Sequence, residues 1–263
     1  MSPILSMMSK LQLMKYLLNN IIPIITKGGR MMRKLQKHVV ITGAGSGLGA
    51  SVAKKYNEED FYVTLTGRTQ EKLERTASTF KNSSYSIYTM DVSSYSDVTK
   101  TFEKITSEVQ PIDILINNAG LGFFDLAENI EVEQIDQMID INLKGTIYCS
   151  QQVIGTMKER NSGSIINITS TAGMQGKINE SAYCASKFGV RGFTESIIKE
   201  LSETDVHVHA IYMSGMDTPF WDGVFEEDEK SGMMQPYDVA ELIFANTELR
   251  KNLNVPEVII ENH

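Results

Sequence analysis

Residues 39–49 read VVITGAGSGLG, an apolar, β-branched run that breaks into four glycines within seven positions before a stretch of helical pattern begins. A strand of this composition is one covered on both faces. A helix that starts on such a turn points its first backbone N–H groups outward, and glycines let an anion approach them closely. Strand, glycine turn and helix form the opening half of a β-α-β unit, so the strands that follow should run parallel.

The pattern continues outward from that stretch. Strands are expected at His38–Thr42, Phe61–Thr66, Tyr85–Met90, Ile112–Ile116, Ser164–Thr169, Val206–Tyr212 and Glu257–Ile260. Helices are expected between them at Gly47–Glu58, Gln70–Phe80, Ser96–Val109, Val132–Lys158, Ser181–Glu203 and Pro236–Asn246. Alternation of this kind defines an α/β fold, a single-domain Rossmann-like doubly wound parallel sheet of about seven strands with helices on both faces. Only Asp217–Met234 lacks a clear period after residue 40, and we expect it to form a mobile flap.

The 263 residues, 41% hydrophobic and 22% charged, suffice for one sizeable core. A net charge of -8 argues against binding a phosphate backbone, so no nucleic-acid partner is expected. Cys149 and Cys184 cannot build a disulfide framework, which fits a reducing, cytoplasmic compartment. His38, His207, His209 and His263 have no ligand-like partners in sequence, and no metal site is expected.

Residues 1–30 differ from the rest. The nine charged residues up to Lys55 are all basic, and the first carboxylate is Glu58. The longest uncharged run, Tyr16–Thr26, is interrupted by Asn19, Asn20 and Pro23, and it falls short of the ~20 apolar residues that span a bilayer. The codons of Lys27-Gly28-Gly29 would carry the purine-rich ribosome-binding sequence of bacterial messages, just ahead of Met31 and Met32. We therefore expect residues 1–30 to be an N-terminal extension translated from upstream sequence, with the domain occupying 31–263. A loosely ordered amphipathic surface helix and a membrane-associating or targeting segment are the other readings.

Chemistry enters at two further places. The second strand ends Leu65-Thr66-Gly67-Arg68-Thr69, where an NAD-binding unit would present a carboxylate to the ribose hydroxyls. Arg68 offers instead a guanidinium that can fork onto a 2′-phosphate, which favours NADP(H) over NAD(H). Tyr183 and Lys187 lie four apart in a helical pattern, on one face. A neighbouring ammonium favours the phenolate, bringing the proton closer to balance with a substrate alkoxide.

With these pieces the chain resembles the classical short-chain dehydrogenase/reductase family from Lys37 to the C-terminus. The resemblance rests on Thr42–Gly49, Asp91-Val92, Asn117–Gly120, Asn142–Gly145, Ser170 within Asn167–Gly173, and Tyr183–Lys187, in order and at family spacing. It implies that Tyr183 is the general acid or base, that Lys187 holds the nicotinamide ribose and depresses the tyrosine pKa, and that Ser170 hydrogen-bonds the substrate oxygen. Asn142 would hold a water linking Lys187 to solvent. Gly43, Ser46, Gly47, Leu48 and Gly49 would form the pyrophosphate turn, Asp91 and Val92 the adenine site, Asn118 the adjoining ribose site, and Met216 and Thr218 the nicotinamide loop. For Asn117 and Asn142, a purely structural role at a strand end or helix irregularity is the other reading, and Cys184 reads as a packing residue.

One departure stands out: where the family has Pro-Gly after the sixth strand, this chain has Met213-Ser214 if aligned on Thr218, and lacks only the proline if aligned on Gly215. Weaker pre-organisation of the nicotinamide loop is expected. Substrate choice should fall to Gly173–Asn179, Leu121–Phe124 and the flap from Phe220-Trp221. The aromatic lining of Phe123, Phe124, Phe220 and Trp221, with acidic Glu226–Glu229 nearby, suits a small to medium neutral ketone or aldehyde. A reductase of 3-oxoacyl thioesters or 3-hydroxy acids is the rival enzyme reading, and a non-catalytic dinucleotide-binding sensor the rival class. The resemblance further implies a homodimer or homotetramer packed through Val132–Lys158 and Ser181–Glu203.

Overall fold

The computed structural model describes residues 36–226, 229–248, 250 and 253–263. The N-terminal extension, the start at Met31 or Met32, and Glu227-Asp228 of the acidic run lie outside them.

Seven parallel strands are ordered β3-β2-β1-β4-β5-β6-β7. They are β1 (His38–Thr42), β2 (Tyr62–Gly67), β3 (Tyr85–Thr89), β4 (Ile114–Asn117), β5 (Gly163–Ile168), β6 (Val206–Met213) and β7 (Glu257–Ile260). Between them run α1 (Gly47–Glu58), α2 (Gln70–Ala77), α3 (Tyr95–Glu108), α4 (Val132–Met138), α5 (Gly145–Arg160), α6 (Ser181–Glu200) and α7 (Pro236–Thr247). Every β1 side chain is buried. Val39 and Ile41 face one side of the sheet, where they meet Val52 and Tyr56 of α1 and Ile243 of α7. Val40 faces the other side, with Phe102 and Ile105 of α3 and Val153 and Met157 of α5. Each such side chain stabilises the fold by about 1.5–3 kcal/mol on burial, and the pleat's period of two divides that stabilisation between the two helical layers.

The sheet register aligns the carboxyl ends that carry the site. Thr42 pairs with Thr66, Asn117 with Asn167, and Met213 with Ile260. No helix among the described residues is long and apolar enough to cross a membrane.

Three helices fall short of expectation, one of them α6, which stops at Glu200 rather than Glu203. The run Val132–Lys158 is not one helix: α4 and α5 are joined by a π-helical segment, Ile139–Lys144. Helix α2 stops at Ala77 rather than Phe80, because the Ser78 and Thr79 hydroxyls bond back to the carbonyls of Arg75 and Thr76, each at 2.7 Å. The stretch expected as a flap contains two short 3-10 turns, Pro219–Trp221 and Glu229–Gly232, and its ends are joined by a bridge between Met216 and Met234.

Candidate active site

A cleft of about 490 Å³ opens at the carboxyl ends of the strands. Chain order reverses between β1 and β4 there, the place where open α/β sheets take their ligands. Every residue expected to catalyse or to hold the dinucleotide lines this cleft except Asn142; of the aromatic residues expected around the substrate, Phe123, Phe220 and Trp221 line it and Phe124 does not.

The glycine turn is closed from behind. A Cβ at Gly49 would lie 2.3 Å from the Gly43 carbonyl oxygen, and one at Gly43 would lie 2.9 Å from the Cα of Ala119. Gly43 and Gly47 also adopt φ of +66° and +52°, which side-chain-bearing residues rarely adopt. Ser46, the N-cap of α1, makes no side-chain cap, so the helix's first amides keep their hydrogen-bonding capacity for the cleft. The Asn118 amide nitrogen is occupied in holding the turn, donating to the carbonyls of Thr42 at 3.0 Å and Gly43 at 3.2 Å. Thr42 returns the contact, its hydroxyl accepting the N–H groups of Asn118 and Ala119 at 3.0 Å each.

Arg68 follows β2 directly, and both it and Lys72, in the first turn of α2, are exposed on the cleft wall. Across from them the Asp91 carboxylate accepts the backbone N–H and the hydroxyl of Ser93 at 2.9 and 2.7 Å, fixing the Asp91-Val92 corner.

Ser170, Tyr183 and Lys187 occupy the other end. Ser170 caps a short 3-10 turn, its Oγ accepting the N–H of Ala172 at 3.1 Å. Tyr183 and Lys187 stand a turn apart on α6, only 7% and 5% exposed. Lys187 Nζ donates to the Ile168 carbonyl at 3.3 Å and sits 5.7 Å from the Tyr183 ring centroid. Phe124 meets the tyrosine ring edge-on at 5.5 Å, and Phe220 covers it at 5.9 Å.

Enclosure acts on both groups. Burial pushes the Tyr183 phenol well above the usual tyrosine range, opposed by a hydrogen bond with Ser170 and reinforced by the charge of Glu180. Burial also lowers Lys187 to about 8. Desolvation by burial is the largest influence on Tyr183, and it favours the protonated phenol.

Asn142 lies behind the cleft, in the π segment. Its Nδ2 donates to the Leu121 carbonyl at 2.9 Å and to Ser186 Oγ at 3.0 Å, while Oδ1 accepts the Leu121 N–H at 2.9 Å. The side chain thus ties the loop after β4 to α6. A Cβ at Gly120 would come 3.3 Å from Asn142 Oδ1 and 3.6 Å from Lys187 Nζ. Asn117 is buried in the structural role left open for it, donating to Ser150 Oγ at 2.9 Å and Asn167 Oδ1 at 2.8 Å.

Beyond β6, Gly215, Met216 and Thr218 reach the cleft. Thr218 packs on the turn, its Cβ 3.2 Å from where a Cβ on Gly47 would stand. Trp221 stacks on Phe124 at 5.1 Å, closing an aromatic wall. Two charged residues of the lining escaped the sequence reading of the site, Lys72 and Glu180, while Lys177 falls in the stretch Gly173–Asn179 expected to govern substrate choice. Lys72 stands in the first turn of the helix that follows Arg68, so extending the strand-end reading by one turn would have found it. Glu180 follows an aperiodic turn through Asn179, whose φ is +65°. Among the described residues no three His, Cys, Asp or Glu side chains gather as a metal site.

Residues 37–229 match the model of the family described as short chain dehydrogenase. An uncharacterized oxidoreductase of Staphylococcus aureus (strain USA300) is 34% identical over 224 residues, covering 85% of this chain and 96% of its own. One of Staphylococcus saprophyticus is 34% identical over 233 residues, with 88% and 99% covered. Among solved structures, the closed form of a serine dehydrogenase complexed with NADP+ superimposes with a TM-score of 0.80 at 31% identity, over 84% of this chain and 93% of that one. An actinorhodin polyketide ketoreductase variant with NADPH gives 0.79 at 26%, over 88% and 97%. The chain belongs to the short-chain dehydrogenase family, and it is an oxidoreductase of that fold.

Proposed function

We propose that the protein interconverts a carbonyl and a secondary alcohol on a small to medium substrate, using NADP(H). The observation that carries this is the placement of Ser170, Tyr183 and Lys187 at one end of a cleft whose other end holds the glycine turn and Arg68. The residues fit a dinucleotide. The turn excludes side chains from the approach to uncapped amides, which suits a pyrophosphate, and Arg68 with Lys72 supplies positive charge for a 2′-phosphate. NADP+ and NADPH in the matched serine dehydrogenase and ketoreductase structures support the same choice.

When bound, the dinucleotide supplies or accepts the hydride. Tyr183 donates its proton to the carbonyl oxygen in reduction and takes the hydroxyl proton in oxidation, and its raised pKa keeps it in the acid form that reduction needs. Ser170 hydrogen-bonds the same oxygen and stabilises the charge growing on it. Lys187 holds the ribose hydroxyls. Asn142 acts from behind by fixing the loop against α6.

Consumption of NADPH over a panel of ketones, aldehydes and 3-oxo esters tests the reading, with Tyr183→Phe as its control. Turnover should fall at least about 100-fold in the variant while NADPH binding stays within a few-fold. A near-normal rate would remove the acid role from Tyr183.

A further inference from the structure

Tyr183 belongs to neither of the apolar cores on the two faces of the sheet. With Met138, Ala172 and Cys184 it forms a third, smaller cluster, against which Phe123, Phe124 and Phe220 pack. These rings arrive on two segments, each fixed by its own backbone. In the loop after β4, the Asp125 N–H donates to the Asn179 carbonyl at 2.9 Å, which holds the chain next to Phe124. In the flap, the Trp221 N–H donates to the Thr218 carbonyl at 3.2 Å, and Phe225 braces the Trp221 ring at 5.0 Å. The two segments meet at Gly122. A Cβ on that glycine would stand 2.5 Å from Phe124 Cζ and 2.9 Å from Phe220 Cζ, and no positive φ calls for glycine there. Position 122 therefore needs space rather than backbone freedom, and the ring tips take that space.

We infer that Gly122 and Phe220, backed by Phe124, form a size filter over Tyr183 that admits a ketone with a methyl group on one side and rejects one with larger groups on both. The inference rests on the proposed function above and narrows its substrates to methyl ketones and the matching secondary alcohols. Gly122 and Phe220 line the cleft, and Phe124 stands just off its wall. The two phenyl rings are 6.0 Å apart and lie 5.5 and 5.9 Å from the tyrosine ring, and with them Tyr183 is only 7% exposed. The cleft of about 490 Å³ must also take the dinucleotide, so little of it is left at this end. A second large substituent can enter only by driving the ring tips out of close packing, and that loss falls on the reacting complex.

A ladder of ketones that share one large group and carry methyl, ethyl or propyl on the other side reads the filter. With NADPH, kcat/KM should fall at least about ten-fold from methyl to ethyl. Phe220→Ala should flatten that step to about two-fold, and Phe124→Ala, which removes the backing, should flatten it in part. Gly122→Ala forces the ring tips away and should flatten it as well, with its Tm reporting whether the fold is kept. Trp221, the single tryptophan of the chain, stacks on Phe124 at 5.1 Å, so its fluorescence follows binding of the same ladder in the presence of NADP+ without turnover. A flat ladder in rate and in binding, or a step that Phe220→Ala leaves intact, would overturn the filter. A step in binding with no NADPH consumed for any ketone would remove the proposed reaction and keep the filter, while turnover along a flat ladder would do the reverse.

Discussion

The Ser214 hydroxyl accepts the backbone N–H of Asn262 at 2.9 Å and donates to the same residue's side-chain carbonyl, while Asn262 Nδ2 donates to the Gly232 carbonyl at 2.9 Å. One residue near the C-terminus thus ties the start of the loop after β6 to the end of the flap. The Ser214 N–H, bonded to the Ile260 carbonyl at 3.0 Å, extends the β6–β7 ladder into the same joint. Rigidity that a Pro-Gly pair would build into the chain locally is here supplied by a distant strand's tail. Ser214→Ala or Asn262→Ala removes exposed hydrogen bonds worth about 1 kcal/mol. The KM for NADPH should rise by up to about five-fold with kcat little changed, and limited proteolysis should quicken between residues 219 and 232. Unchanged KM and cleavage would reduce the joint to decoration.

Lys187 makes function and stability oppose each other. Burial brings its pKa from 10.5 to about 8, so at neutral pH the fold carries an ammonium that it would hold more easily as the amine. Between those two values the unfolded chain keeps a proton that the folded chain releases, so stability rises with pH through that window and gains nothing from this group below it. Lys187→Met should therefore raise the Tm of the cofactor-free protein at pH 7 by several degrees, on the order of 2 kcal/mol. It should also abolish the pH-dependent gain and the turnover. A lower Tm would mean that the bond to Ile168 outweighs the desolvation.

Arg68→Ala separates the two nicotinamide cofactors. If the guanidinium reads the 2′-phosphate, the KM for NADPH should rise at least about ten-fold more than that for NADH. An equal change in both assigns Arg68 to general charge on the rim.

Two glycines offer a contrast at constant chemistry. At Gly49 a methyl group would fall 2.3 Å from the Gly43 carbonyl oxygen, so Gly49→Ala must displace the turn. It should cost about 1–3 kcal/mol and lose NADPH binding in titration. At Gly155, inside α5, nothing stands within 4 Å of the added carbon, and Gly155→Ala should stabilise by about 0.5–1 kcal/mol without touching the cofactor. Melting curves of the two variants should shift in opposite directions.

The glycine turn was readable because its residues answer to backbone geometry, which short spacing encodes. β1, β7 and α1 follow the expected limits to the residue, being apolar or amphipathic runs cut off by glycine, proline or acidic turns. The π segment showed only as the helix irregularity offered as one reading of Asn142. Ile139-Asp140-Ile141-Asn142 continues a helical mixture of apolar and polar residues, and the extra residue shows only once Asn142 is anchored to Leu121 and Ser186. The deep burial of Tyr183 was equally invisible, since it depends on Phe124 and Phe220 arriving from separate segments. Glu180 follows an aperiodic turn, and nothing local distinguishes it from a solvated charge.

The π segment also works as a phase shifter. Each helical residue turns the chain by about 100°, so one surplus residue between α4 and α5 sets the direction in which Cys149, Val153 and Met157 face the sheet. Length at this joint is therefore constrained more tightly than identity. A substitution at Asn142 loosens one loop, whereas deletion of any single residue from Ile139 to Lys144 would swing the whole inner stripe of α5 out of mesh with β4 and β5.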